Sequence, residues 1–146
     1  MDRASFPVVV TGVVVAQGEV LLAKKEEDEG HPIGGEWHFP GGFMEGGEQP
    51  EEAVKRELKE EIGLEVDVHH LVDVYHEEKG DLVRVFYYCE ADSRDLEPGE
   101  DLEELEWVEP EKVVEKLSDG HEAAVVSDRQ DIENLMEKLA KMPSFR

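Results

Sequence analysis

Apolar residues run almost unbroken from Pro7 to Ala16 and again, more briefly, from Glu19 to Lys24, with Gln17-Gly18 between them. Short apolar runs rich in valine predict buried strands, and a two-residue linker containing glycine predicts a hairpin joining them. Lys25 to Gly35 carries charges, His31-Pro32 and a glycine pair, the composition of a mobile loop, and leads into Trp37 to Phe39. Further on, Glu65 to Glu78 alternates apolar and polar positions for much of its length. Asp81 to Ala91 reads as its antiparallel partner across Lys79-Gly80, and Asp92 to Asp101, with Pro98-Gly99, as a polar loop. Glu104 to Val108 is expected as a short strand, and Pro110 to Leu117 as a helix. Asp128 to Lys141 is expected as a final amphipathic helix with Ile132, Leu135, Met136 and Leu139 inward.

Between the early strands and Glu65 the period changes from two to 3.6. At about 100° per residue Val54, Leu58 and Ile62 share one stripe, while Glu57, Glu60 and Glu61 fan over the adjacent arc. Pro50 suits a first helical turn because its missing N–H needs no partner there. Glu51 and Glu52 follow where the helix dipole favours negative charge. Gly63 stands where a left-handed residue ends a helix without steric cost. A helix from about 50 to 62 follows, and the whole pattern predicts an α/β chain with a mixed sheet and helices on its faces.

Composition narrows the class. The 146 residues suit one domain spanning 1–146. No apolar run approaches the roughly 18 residues that span a bilayer, and no signal segment opens the chain, so a cytoplasmic location without membrane association is expected. The net charge of −23, from 38 acidic and 15 basic residues, argues against a nucleic-acid polymer as partner, because phosphate backbones are held by Lys and Arg patches. Cys89, the single cysteine, cannot form an internal disulfide and reads as a core residue of a strand.

Charge also changes the reading of the helix. Glu57, Glu60 and Glu61, three and four residues apart, repel one another by a few tenths of a kcal/mol per pair. A divalent cation reverses the sign of that cost, and Mg²⁺ or Mn²⁺ prefers oxygen ligands and shares substrate phosphate oxygens. Phe39-Pro40-Gly41-Gly42 and Glu45-Gly46-Gly47-Glu48 precede the helix, and such glycine pairs expose backbone groups to a metal or phosphate. An arbitrary acidic helix is ordinarily a solvated face; here the spacing of the whole stretch outweighs that reading.

That spacing resembles the Nudix hydrolase signature. Gly42, five residues, Glu48, seven residues, then Arg56-Glu57-Leu58-Lys59-Glu60-Glu61-Ile62-Gly63-Leu64 agree with it at every defined position, over 23 of the 146 residues. A Trp-x-Phe-Pro-Gly-Gly lead-in and Trp107-Val108-Glu109-Pro110 downstream are similar to the family layout as well. The resemblance implies an α/β/α sandwich and divalent-metal-dependent hydrolysis of a nucleoside diphosphate linked to another group. A nucleoside triphosphate or ADP-ribose-like compound is the favoured substrate. It further implies that Glu57, Glu60 and Glu61 hold Mg²⁺ (or Mn²⁺), one of them doubling as the base. By the same resemblance Gly41 would lend its carbonyl to the metal, Arg56 would orient the helix carboxylates by salt bridge, and Glu48 would support the loop or a further metal. Similar enzymes place a basic residue against substrate phosphates, for which Lys24, Lys25 and Arg84 are candidates; solvated strand ends or a cross-strand salt bridge are the alternatives. An additional acidic residue is expected from the loop before the late strand, where Glu100, Asp101, Glu103 and Glu104 compete and Glu103 is preferred. Trp37, Phe39 and Phe43 are base-stacking or core candidates, with Phe39 expected to bind substrate. His69-His70 is expected to point to opposite strand faces and so not to share a metal. A homodimer would be in keeping with relatives. The competing reading is a catalytically silent nucleotide-binding module, for which a damaged signature is the usual mark; this one is intact.

Overall fold

Gln17 and Gly18 both adopt positive φ, 52° and 79°, the left-handed pair that a two-residue hairpin needs. They join β1 (Val8–Ala16) to β2 (Glu19–Lys25) as the apolar pattern predicts. The structure is a computed structural model that describes residues 3–25, 35–99, 102–117 and 130–141, without the side chains of 102 and 103. The loop expected from Lys25 to Gly35 lies mostly outside the described residues.

β1 is the centre of a seven-stranded sheet. It runs parallel to β6 (Leu82–Ala91), from Val8 opposite Val83 to Val15 opposite Glu90. On its other edge it meets β4 (Gly41–Phe43) through Val9 to Thr11 and β2 through Val15 and Ala16, both antiparallel. β2 in turn pairs with β3 (Trp37–His38) and β7 (Leu102–Val108), and β6 pairs with β5 (Val66–Glu77). One parallel pair among antiparallel ones makes the sheet mixed, as expected. β7 starts two residues earlier than its apolar pattern indicates, because pairing with β2 continues past a register shift at Lys24/Lys25.

Strand alternation divides the core in two. Val10, Val14, Val85, Tyr87 and Cys89 face α1 (Pro50–Ile62), whose Ala53, Val54, Leu58 and Ile62 are fully buried. Val54, Leu58 and Ile62 each contribute about 1.5–3 kcal/mol on burial. Val13, Val15, Phe86 and Tyr88 face the other way, onto α2 (Val113–Leu117) and α3 (Gln130–Lys141). α3 buries Ile132, Leu135, Met136 and Leu139 there, the four residues its pattern selects, while Asp128 and Arg129 lie outside the described residues. The helix expected from Pro110 to Leu117 is a 3₁₀ turn over Pro110–Lys112 followed by α2. The result is an α/β/α sandwich. Among the described residues no helix is long and apolar enough to cross a membrane.

β5 departs from simple alternation. Its register with β6 shifts between Val68 and His70 and again between Leu71 and Asp73, leaving His69 and Val72 as extra residues. These two bulges keep Val68, Leu71 and Val74 on one face although their spacing is three rather than two. They also correct the reading of His69-His70: both rings lie against Tyr88, with centroids 5.5 and 5.2 Å away, and His69 Nε2 is 3.3 Å from Glu90 Oε2.

Candidate active site

α1 begins as its sequence dictates. Pro50 occupies the first turn, Ala53 N–H donates to Gln49 O at 3.0 Å, and Gln49 N–H donates to Glu52 Oε1 at 3.3 Å. It ends at Gly63, in the left-handed region at φ 71°, whose N–H donates to Lys59 O at 3.1 Å. These two ends set which way the intervening side chains point.

Arg56 is the hub. Its Nε donates to Glu48 Oε2 at 2.5 Å and its Nη2 to Glu48 Oε1 at 3.0 Å, a two-bond fork that a planar guanidinium forms with a carboxylate. Nη2 also donates to the Phe43 carbonyl at 3.1 Å. Nη1 donates to Glu57 Oε1 at 3.0 Å and to Glu60 Oε2 at 3.1 Å, and Glu45 Oε1 lies 3.7 Å away. Glu48 reaches this position because residues 45 to 48 form a turn, in which Glu48 N–H donates to Glu45 O at 3.3 Å and Glu45 N–H to Glu48 Oε1 at 2.8 Å. One cation thus faces four carboxylates.

Two of them respond in opposite directions. Hydrogen bonds from Arg56 and from the Glu45 backbone hold the Glu48 carboxyl down at about 2. Glu57 is pushed up by burial, which outweighs the bond from Arg56, and Glu60 and Glu45 add repulsion. The burial comes from β4: a Cβ on Gly42 would overlap the whole Glu57 carboxyl group, with Oε1 only 2.8 Å away. Only glycine lets strand and carboxylate approach so closely. Arg56 is itself raised above its ordinary value by Glu48 and Glu57, so it stays charged.

The set is made of oxygen donors, which suit a hard divalent cation. Burial disfavours a charge on Glu57, and the bond from Arg56 does not fully offset that cost. As the side chains stand, no three carboxylate, histidine or cysteine groups converge on one point among the described residues; Glu57 and Glu60 share Arg56 Nη1 instead. Glu61 is half-buried in the last turn, Glu60 is 61% exposed, and Gly41 pairs with Thr11 in β4.

The other described candidates sit on β2, β3, β4, β6 and β7 and the segments beside them. Lys24 and Lys25 are half-buried at the end of β2, opposite Trp37 and β7. Arg84 is 7% exposed and sits on the sheet face away from α1, over the Phe86 ring at 5.0 Å. Its Nη1 is 3.8 Å from Glu77 Oε1, and its Nη2 donates to Thr11 Oγ1 at 3.4 Å. The cross-strand ion pair is therefore the arrangement found. The base-stacking expectation for Phe39 is corrected: its ring is 2% exposed and packs edge-on to Phe86 at 6.0 Å, inside the core. Trp37 carries Lys116 Nζ over its ring at 4.4 Å, and Phe43 is 57% exposed. Glu104 is exposed on β7, Glu100 and Asp101 lie outside the described residues, and Glu103 is described only as backbone of β7. Sequence reasoning missed Glu45 and the Phe43 carbonyl as partners of Arg56; the Glu45-x-x-Glu48 spacing of a turn was the available signal.

Comparison with known proteins agrees with this geometry. A family model described as the NUDIX domain matches residues 6–129. An ADP-ribose pyrophosphatase of Methanocaldococcus jannaschii is 33% identical over 122 residues, 81% of this chain and 70% of the relative. The nucleoside triphosphatase NudI of Escherichia coli is 28% identical over 119 residues, 73% of this chain and 84% of the relative. A NUDIX hydrolase structure from Nitrosomonas europaea superimposes with a TM-score of 0.76 at 24% identity, covering 99% of this chain and 78% of that one. With the signature built around Arg56 and the family match over most of its length, the chain belongs to the NUDIX family and is a Nudix pyrophosphohydrolase.

Proposed function

We propose that the protein cleaves the pyrophosphate link of a nucleoside triphosphate or an ADP-ribose-like compound, using Mg²⁺ or Mn²⁺. The observation that carries this reading is the Arg56 hub, which gathers Glu48, Glu57 and Glu60 at the mouth of the Gly41-Gly42 strand. The names of the M. jannaschii and E. coli relatives support the two substrate classes.

Glu57, Glu60 and Glu61 would hold the cation, with the Gly41 carbonyl beside them and Glu48 supporting the loop. When bound, the cation neutralises phosphate oxygens and lowers the pKa of a bound water. Arg56 positions Glu57 and Glu60 and, through the Phe43 carbonyl, holds the end of β4 in place. A water oxygen forms a bond to one phosphorus, the bridging oxygen leaves with the other phosphate, and a carboxylate of the helix takes the proton. That base is one of Glu57, Glu60 and Glu61. Glu103 is the preferred extra acidic group from the segment before β7. Lys24 and Lys25 are assigned to the substrate phosphates.

The test is product release from a set of nucleoside triphosphates and diphosphate derivatives, including ADP-ribose, with Mg²⁺ or Mn²⁺. Wild-type protein is expected to release a nucleoside monophosphate, and Glu61→Gln to lose that activity with an unchanged circular-dichroism spectrum. No product from any compound, or full activity in Glu61→Gln, overturns the reading.

A further inference from the structure

The segment between β6 and β7 carries a contact network that the signature does not include. Arg94 Nη2 is 2.5 Å from Glu19 Oε1, its Nη1 donates to Gln17 Oε1 at 3.4 Å, and its guanidinium lies over the Trp107 ring at 5.0 Å. One side chain therefore joins the start of this segment to the β1–β2 turn and to the end of β7. Arg94 and Glu19 are 33% and 21% exposed, so the pair is partly shielded from solvent and its geometry is constrained on three sides.

Three and five residues later the same segment reaches α1. Leu96 packs against the core on the α1 face of the sheet. Glu97 N–H donates to Ile62 O at 2.9 Å and Gly99 N–H to Glu61 O at 2.7 Å. A helix leaves its last carbonyls without internal partners, and here two of them are satisfied by another part of the chain. The approach is close enough that a Cβ on Gly63 would lie 2.7 Å from Glu97 Cβ. Gly63 is thus required by the strap as well as by its left-handed φ.

We infer that Arg94 is a positioning residue, anchoring the segment 92–99 as a strap that fixes the last turn of α1 and with it the carboxylates of Glu60 and Glu61. The inference rests on the hydrolase reading above for its catalytic consequence, but not for its structural one. Arg94 touches neither the Arg56 hub nor any reacting atom in this arrangement. Its effect runs through backbone bonds to the residues that carry Glu60 and Glu61.

The experiment compares Arg94→Ala, Arg94→Lys and Glu19→Gln in the full chain by amide hydrogen exchange, by Mn²⁺ titration of the protein alone, and by steady-state kinetics on ADP-ribose or GTP. Arg94→Ala is expected to speed exchange at Glu97, Gly99 and residues 60–63 while β1 and β6 keep their protection. It should also weaken Mn²⁺ binding. Small misplacements of catalytic groups cost rate more than binding, so kcat should fall on the order of ten-fold with KM nearly unchanged. Arg94→Lys keeps the charge and loses the planar contact with Trp107, so it should recover part of the loss, and Glu19→Gln should resemble a milder Arg94→Ala. Wild-type exchange and Mn²⁺ affinity in Arg94→Ala, or exchange raised evenly through the sheet, overturns the inference. A wild-type protein that releases no product overturns the hydrolase reading instead, and the exchange and Mn²⁺ arms still decide this one.

Discussion

Arg56 and Glu48, eight residues apart, are joined by two parallel bonds, Nε to Oε2 at 2.5 Å and Nη2 to Oε1 at 3.0 Å. The fork pins the glycine-rich turn to α1 and leaves Nη1 to face Glu57 and Glu60. A lysine carries the charge but has neither the plane nor the second pair of donors. Arg56→Lys is expected to lower hydrolysis about 10–100-fold, the scale for loss of a group that orients metal-binding residues. Steady-state kinetics against a matched Lys55→Arg control checks this.

Gly42→Ala puts a methyl group where the Glu57 carboxyl lies, whereas a Cβ at Gly46 meets nothing within 4 Å. The carboxyl is the end of a flexible side chain, so it swings aside at little cost to the fold but leaves its bond to Arg56 Nη1. Urea unfolding should show only a small loss in Gly42→Ala and almost none in Gly46→Ala. Activity should disappear only in the former.

Glu57 and Glu48 have opposite signs in the pH dependence of stability. The folded protein favours the protonated form of Glu57, so its contribution is fully present below the usual value of 4.5 and is lost as pH rises through the raised folded value. The contribution of Glu48 is present above 4.5 and is lost as pH falls toward about 2. Relative to wild type, Glu57→Gln should therefore gain stability as pH rises from 4 to 8, while losing catalysis. Glu48→Gln should lose stability above pH 4.5. Unfolding curves at several pH values that show the same trend for both variants would contradict this assignment.

Under the proposed function, Mg²⁺ held by the native carboxylates would stabilise the fold by mass action, about 2.7 kcal/mol at 100 times Kd. Thermal unfolding should shift upward with Mg²⁺ and return on chelation, and the shift should vanish in Glu57→Gln. An equal shift in that variant would place the cation elsewhere.

Cys89 is fully buried, and burial pushes its thiol up to about 12. Iodoacetamide at pH 8 should leave the native protein unmodified and label it once urea has unfolded it, as mass spectrometry reads directly. Rapid labelling of the native state would mean that β6 opens locally.

The residues of α1, with Pro50 at its start and Gly63 at its end, were legible without coordinates, as were the β1–β2 and β5–β6 hairpins. Period, proline and glycine placement act through dihedral preferences and contacts three or four residues away, which a linear chain displays. The same holds for the crowding of Glu57, Glu60 and Glu61. What the fold alone decided involves partners distant along the chain. Phe39 is core because Phe86 comes against it, and Arg84 is engaged because β1 and β5 place Thr11 and Glu77 beside it. The bulges at His69 and Val72 exist because β5 must match β6, not because of any local signal. The opposite proton affinities of Glu48 and Glu57 have different tertiary causes: hydrogen bonds from Arg56 and the Glu45 backbone lower Glu48, whereas burial beside Gly42 raises Glu57, and neither belongs to a residue type alone.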